Sequence, residues 1–175
     1  MKVGIGLPNT IPGTDGRLLV EWARRADAGA FSTLAVLDRL AYDSVDPFCA
    51  LAAAAAVTER MELATMIAIG PLRNTALLVK QATSVDAVSG GRLTLGLAIG
   101  ARLDDFETAG VAHGGRGARL SEQLATLRDG DPLGVRRDLR LLVGGTTYAP
   151  RNVMTRSCGR GSKLSVPMTL TILDC

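Results

Sequence analysis

Asp38 and Arg39 follow directly on the apolar run "TLAVL", which delivers a carboxylate and a guanidinium to the end of a buried segment. Arg73 and Asn74 stand the same way after "LATMIAIGPL", and Arg102, Asp104 and Asp105 after "LTLGLAIGA". Carboxylates so placed can exchange protons, and arginines can hold anionic groups in a planar fork. Each position also has a plainer reading. Asp38 either faces a ligand or caps a loop, and Arg39 either holds an anion or lies on a surface loop. Asn74 either bonds a cofactor edge or caps the following helix. Arg102, Asp104 and Asp105 either border a pocket or form a charged loop that caps the next helix. His113, the single histidine, lies in "GVAHGGRG", where a solvated loop residue is expected.

The stretch "SGGRLTLGLAIGAR", Ser89 to Arg102, carries four glycines and invites a reading as a phosphate cradle. A dinucleotide cradle needs G-x-G-x-x-G between a strand and a helix. Neither "GLAIGA" here nor "GLPNTIPG" near the N-terminus has that spacing. "SGG" reads instead as the end of a helix, with Gly90 and Gly91 supplying a left-handed cap.

The elements that must position these residues recur on a regular beat. The apolar runs "VGIGL", "TLAVL", "LATMI" and "LTLGL" begin at Val3, Thr33, Leu63 and Leu93, 30 residues apart each time. Helical patterns fill the gaps. Leu18, Leu19, Trp22, Ala23 and Ala26 share one face behind an Asp15 cap, and Asp46-Pro47 opens the next helix. Leu77, Leu78, Gln81, Ala82 and Val85 form the stripe of a third helix. Strand, helix, strand at this spacing is the βαβ unit, which enforces parallel pairing and a right-handed crossover. The fold class is therefore α/β with a parallel sheet, open or curled into a barrel.

The 175-residue chain suits one folded core, 47% hydrophobic and only 3% aromatic. Its net charge of +3 is uneven: residues 1–130 hold 13 basic against 14 acidic side chains, residues 131–175 hold 7 against 3. The main body thus lacks the basic footprint of a nucleic-acid binder. Cys49, Cys158 and Cys175 are odd in number and show no metal-ligand spacing, which suits reduced thiols in a cytoplasm. Cys49 is expected in the core. "MKVGIGLPNT" has no apolar signal region, and "ALAAAAAV" is too short to span a bilayer, so a cytoplasmic protein without membrane partners is expected.

The runs "VGIGLP" and "FSTLAVLDR", and above all "LATMIAIGPLRNTALLVKQATSVDAVSGGRLTLGLAIGARLDDFETAGV", resemble the luciferase-like flavin-dependent oxidoreductases and monooxygenases. "RGARLSEQLATLRD" resembles the helix that follows in that family, and "RLLVGGTTYAP" its next strand. The resemblance covers residues 1–130, the N-terminal half of a TIM (β/α)8 barrel. Residues 131–175 form a short divergent segment, in which Leu164, Val166, Met168, Leu170 and Ile172 alternate as in an edge strand. A full barrel takes about 250 residues, so about five or six strands are expected and the barrel is incomplete.

The resemblance implies a flavin, FMN or a deazaflavin of the F-420 type, lying across the C-terminal strand ends, with a small-molecule substrate. It implies a bulge with a non-proline cis peptide at Met66-Ile67, making Thr65, Met66 and Ile67 the wall behind the ring. Asp38 and Arg39 are then the candidate catalytic residues, and Arg73, Asn74 and Arg102 candidate cofactor contacts. Gly96 and Gly100 would let the ring approach the fourth strand, although Ala98 replaces a glycine common in the family. The sugar-phosphate dehydrogenase branch is not supported, because Arg39 and Ala101 occupy its acid/base histidine and glutamate positions. Exposed edges of an incomplete barrel imply a homo-oligomer. A shortened relative that binds flavin without turnover, or binds nothing, is the alternative.

Overall fold

The computed structural model describes residues 2–129, 139–144 and 170–173. Five βα-type strands lie side by side, the third of them split in two. β1 is Gly4–Gly6, β2 Thr33–Val36, β3 Glu62–Thr65, β4 Ala68–Ile69, β5 Leu93–Ala98 and β6 Arg140–Gly144. Their order is β1-β2-β3-β5-β6, all parallel, with β4 continuing the line of β3 against β5. A last strand, β7 (Leu170–Leu173), pairs antiparallel with β6. This is the incomplete parallel α/β sheet expected from the thirty-residue beat. The alternating tail places its final residues in β7, while 145–169, with Cys158 and the basic run from Arg151, lie outside the described residues, as does Cys175.

Helices α1 (Gly16–Ala28), α2 (Pro47–Ala55) and α3 (Thr75–Ser89) return the chain between successive strands. Their ends follow the predicted chemistry. Asp15 accepts from the Arg17 N–H, Asp46 from those of Phe48 and Cys49, and Asn74 from that of Leu77. Gly90, at φ +70°, closes α3 in the left-handed region. After β5 come α4 (Leu103–Ala109) and α5 (Arg116–Asp129). Leu34, Val36, Leu63, Leu93, Leu95 and Leu97 point to the helix side of the sheet and pack with Leu19, Leu51, Leu78 and Val85. Each such leucine contributes about 1.5–3 kcal/mol by leaving water.

Which residues of each helix face that core differs from expectation at four places. Leu18, Trp22 and Leu77 are exposed, and Cys49 is an exposed free thiol. α1 buries only Leu19, Ala23 and Ala26, a narrower stripe than the five apolar residues predicted. In α2 nearly every side chain is small and apolar, so composition could not mark the buried side; Phe48, Leu51 and Ala55 take it and turn Cys49 outward. α3 likewise rotates Leu78, Ala82 and Val85 inward and leaves Leu77 outside.

Candidate functional site

The strand ends carry one irregularity, and the site is built around it. Ala64 pairs with Thr94 and Ala68 with Leu97, so four steps of one strand run beside three of the other. The one extra residue is a β-bulge, spanning Thr65 to Ile67, and the Met66–Ile67 peptide is cis, as the resemblance implied. Two anchors hold its upstream side. The Met66 N–H donates to Val36 O at 2.7 Å. The Thr65 hydroxyl accepts from the Gly96 N–H at 2.8 Å and donates to Gly96 O at 2.7 Å. Both backbone groups of Gly96, deprived of strand partners by the bulge, are thereby satisfied.

The two glycines expected to admit a ring are used by the protein itself. A Cβ on Gly96 would collide with the Thr65 carbonyl oxygen and crowd Ile67 Cγ1 and Leu142 Cδ2, each at 3.2 Å. Gly100, at φ +73°, leaves room for Ile69 Cγ2 and the Phe106 ring. The absent side chains make space for the bulge and for α4.

Asp38 and Arg73, from the loops after β2 and β4, form a buried ion pair. One guanidinium nitrogen of Arg73 lies 3.0 and 3.1 Å from the two Asp38 oxygens, and the other lies 3.1 Å from Asp46 at the head of α2. The Arg73 guanidinium also lies 5.1 Å over the ring of Phe48. Asp38 accepts the Ile69 N–H at 2.9 Å. Burial pushes its carboxyl above the ordinary range, against the opposing pull of Arg73 and that N–H. Asn74 caps α3, its Oδ1 accepting the Leu77 N–H at 3.2 Å.

Arg39 turns the other way, toward α4. It donates to Asp105 at 2.9 Å and Asp104 at 3.1 Å and lies over Tyr42 at 5.1 Å. Asp105 is fully buried and also accepts the N–H groups of Leu40 and Ala41, both at 2.8 Å. Burial alone would raise its carboxyl; these two N–H groups and Arg39 outweigh that and hold it below the ordinary range. Arg102 stays largely exposed, 3.6 Å from Asp104. His113 is half-buried rather than solvated: its ring meets Phe106 edge-on at 5.0 Å, and Nδ1 faces Arg116 at 3.2 Å.

Other anchors carry no short-range signal in the sequence. Asn9 is buried and bonds Leu37 O, Val45 O and the Leu37 N–H, tying the first strand end to the second. Gln123 on α5 donates to Gly70 O and Arg73 O, and Arg119 to Pro71 O. Around these pinned strand ends the exposed apolar side chains are Ile11, Leu37, Leu40, Tyr42, Met66 and Leu103. A rigid backbone wall with an apolar rim fits a planar, largely apolar ring such as a flavin. Among the described residues, no group of His, Cys, Asp and Glu is arranged to hold a metal ion. Nor is any described helix long and apolar enough to cross a membrane.

A parallel βα sheet with its pinned loops and bulge at the C-terminal strand ends defines a barrel-type α/β protein. Residues 1–130 match the luciferase-like monooxygenase family, and the chain belongs to that family. It is 35% identical over 85 residues to the uncharacterized protein Rv0953c of Mycobacterium tuberculosis, which covers 49% of this chain and 30% of the relative. The crystal structure of monooxygenase RslO1 from Streptomyces bottropensis is similar, with a TM-score of 0.65 and 27% identity over 73% of this chain and 42% of that one. The oxygenating constituent of 3,6-diketocamphane monooxygenase from Pseudomonas putida, solved in complex with FMN, gives 0.64 at 21% identity, covering 71% and 38%. The coenzyme F420-dependent tetrahydromethanopterin reductase of Methanopyrus kandleri gives 0.58 at 19%, covering 74% and 41%. The chain thus spans less than half the length of each of these proteins.

Proposed function

We propose that this protein binds a flavin, FMN or a deazaflavin, against the Thr65–Ile67 bulge and serves as an oxidoreductase or monooxygenase for a small organic substrate. The observation that carries this reading is the bulge itself: an irregular strand end, fastened through Thr65 to Gly96 and faced by the exposed Met66 side chain. Family membership and the FMN-bound and F420-dependent neighbours support it. When bound, the flavin supplies the redox chemistry. The chain supplies the rest. Thr65, Met66 and Ile67 give a fixed backbone surface, and the apolar rim from Leu37 to Leu103 excludes water. Arg102, exposed beside Asp104, is available to an anionic group of cofactor or substrate.

One observation favours a second reading, flavin binding without turnover. Both ionisable residues that end β2, Asp38 and Arg39, are engaged in ion pairs within the protein. Titrating the purified protein with FMN and with a deazaflavin, followed by flavin fluorescence, tests the shared claim: saturable binding of one is expected, and binding of neither would refute both readings. Reduced-flavin consumption with candidate substrates then separates enzyme from binder. Self-association belongs to the same proposal, and a monodisperse monomer by light scattering would count against it.

A further inference from the structure

We propose that Asp38 and Arg73 are a positioning pair that sets the bulge, and through it the surface offered to the ring; the second half of this statement rests on the flavin reading above. β4 is only two residues long and hangs between the bulge and a 3-10 turn, Gly70–Leu72. On one side it is laddered to β5 through Ala68 and Ile69. On the other side β2 has already ended at Val36, so no strand carbonyl remains for the Ile69 N–H. The Asp38 carboxylate takes that place, at 2.9 Å, two residues beyond the cis peptide.

The carboxylate is itself aimed. Arg73 holds both of its oxygens and reaches on to Asp46, the cap of α2, while Phe48 lies beneath the guanidinium. Gln123 holds the Arg73 carbonyl from α5. The orientations of α2 and α5 are thus transmitted through one carboxylate to one N–H in the strand that follows the wall. With one oxygen on Arg73 and the other shared between Arg73 and Ile69, Asp38 acts through the bulge rather than on a substrate.

The test uses the full chain and two readouts. Amide hydrogen exchange of Ile69 is measured without ligand in wild type, Asp38→Asn, Asp38→Ala and Arg73→Lys, with Leu63 and Leu95 as internal references. Losing a charge-assisted bond corresponds to about a tenfold change or more. Ile69 should therefore exchange about tenfold faster in Asp38→Ala and Arg73→Lys, with partial rescue in Asp38→Asn, while Leu63 and Leu95 hold their rates. Unchanged Ile69 exchange, or equal acceleration at all three residues, overturns the positioning role whether or not flavin binds. FMN is then titrated and the midpoint potential of bound FMN measured: weaker binding and a shifted potential in the same variants are expected. Faster Ile69 exchange with affinity and potential unmoved overturns the link to the ring. Wild type that binds neither FMN nor deazaflavin overturns the flavin reading and that link with it, and leaves the exchange result to decide the pair's hold on the bulge.

Discussion

The Thr65 side chain satisfies both backbone groups of Gly96, a residue 31 positions away on the neighbouring strand. A hydroxyl is the smallest group that accepts and donates at once, and here it replaces the strand partner that the bulge removed.

Thr65→Val keeps the shape and deletes both bonds, leaving two buried backbone groups unpaired. The expected loss is about 2–4 kcal/mol of stability. Thr65→Ser keeps the hydroxyl and should lose about 1 kcal/mol or less. Urea denaturation of the two variants checks this, and a Thr65→Val loss no larger than that of Thr65→Ser would show that the two hydroxyl bonds do not hold this strand end.

Gly96→Ala meets a backbone oxygen that cannot move without the strand, so it should lose about 3 kcal/mol or more, or fail to accumulate as soluble protein. Gly144→Ala is the control. Its Cβ would meet Cδ1 of Ile67, the far end of a flexible side chain that can turn aside. About 1 kcal/mol or less is expected there. A Gly96→Ala variant as stable as Gly144→Ala would contradict the packed arrangement.

These two residues also show how far the sequence could be read. The strand beat, the caps at Asp15, Asp46 and Asn74, and the glycine closure of α3 are local signals, decided within a few residues, and the structure has them all. A family resemblance points to Thr65 and Gly96 one by one, but nothing in the sequence shows that they pair. Nor does it show Asp38 with Arg73 or Arg39 with Asp105, because these partners lie 35 and 66 residues apart and meet only once the sheet has formed. Helix facing is equally hidden from the sequence. A helix rich in Ala and Leu has several plausible inner sides, and only contact with its neighbours selects the one that leaves Cys49, Leu77 and Trp22 outside.

Acid should destabilise the protein through Asp105 and Asp27. Asp27 is held below the ordinary value of 3.8: burial raises it, but the N–H groups of Glu59, Met61 and Arg60 outweigh burial. Because the folded-state values of both groups are depressed, their stabilisation is complete above the ordinary carboxylate range and is lost as pH falls through the lowered values. Asp38 has the opposite sign. Its raised value means that its contribution is greatest at low pH and declines as pH rises through the folded value. The urea midpoint should therefore fall below about pH 4, less steeply in Asp105→Asn and more steeply in Asp38→Asn. Parallel curves for the two variants would refute the assignment.

Arg92 closes two helices at once and, among the described residues, pairs with no carboxylate in doing so. Its guanidinium donates to Ala55 O and Thr58 O at the end of α2, to Ser89 O at the end of α3, and to Thr58 Oγ1 and Met61 O in the approach to β3. The last carbonyls of a helix lack partners within it and carry the negative end of its dipole, so a cation with five donors spread in a plane answers both needs. Lysine keeps the charge but cannot span carbonyls from two helices with one ammonium. Arg92→Lys should therefore lose about 2–4 kcal/mol, nearly as much as Arg92→Ala. A lysine variant within about 0.5 kcal/mol of wild type would mean that charge near the helix ends, rather than the reach of the guanidinium, holds α2 and α3 in place.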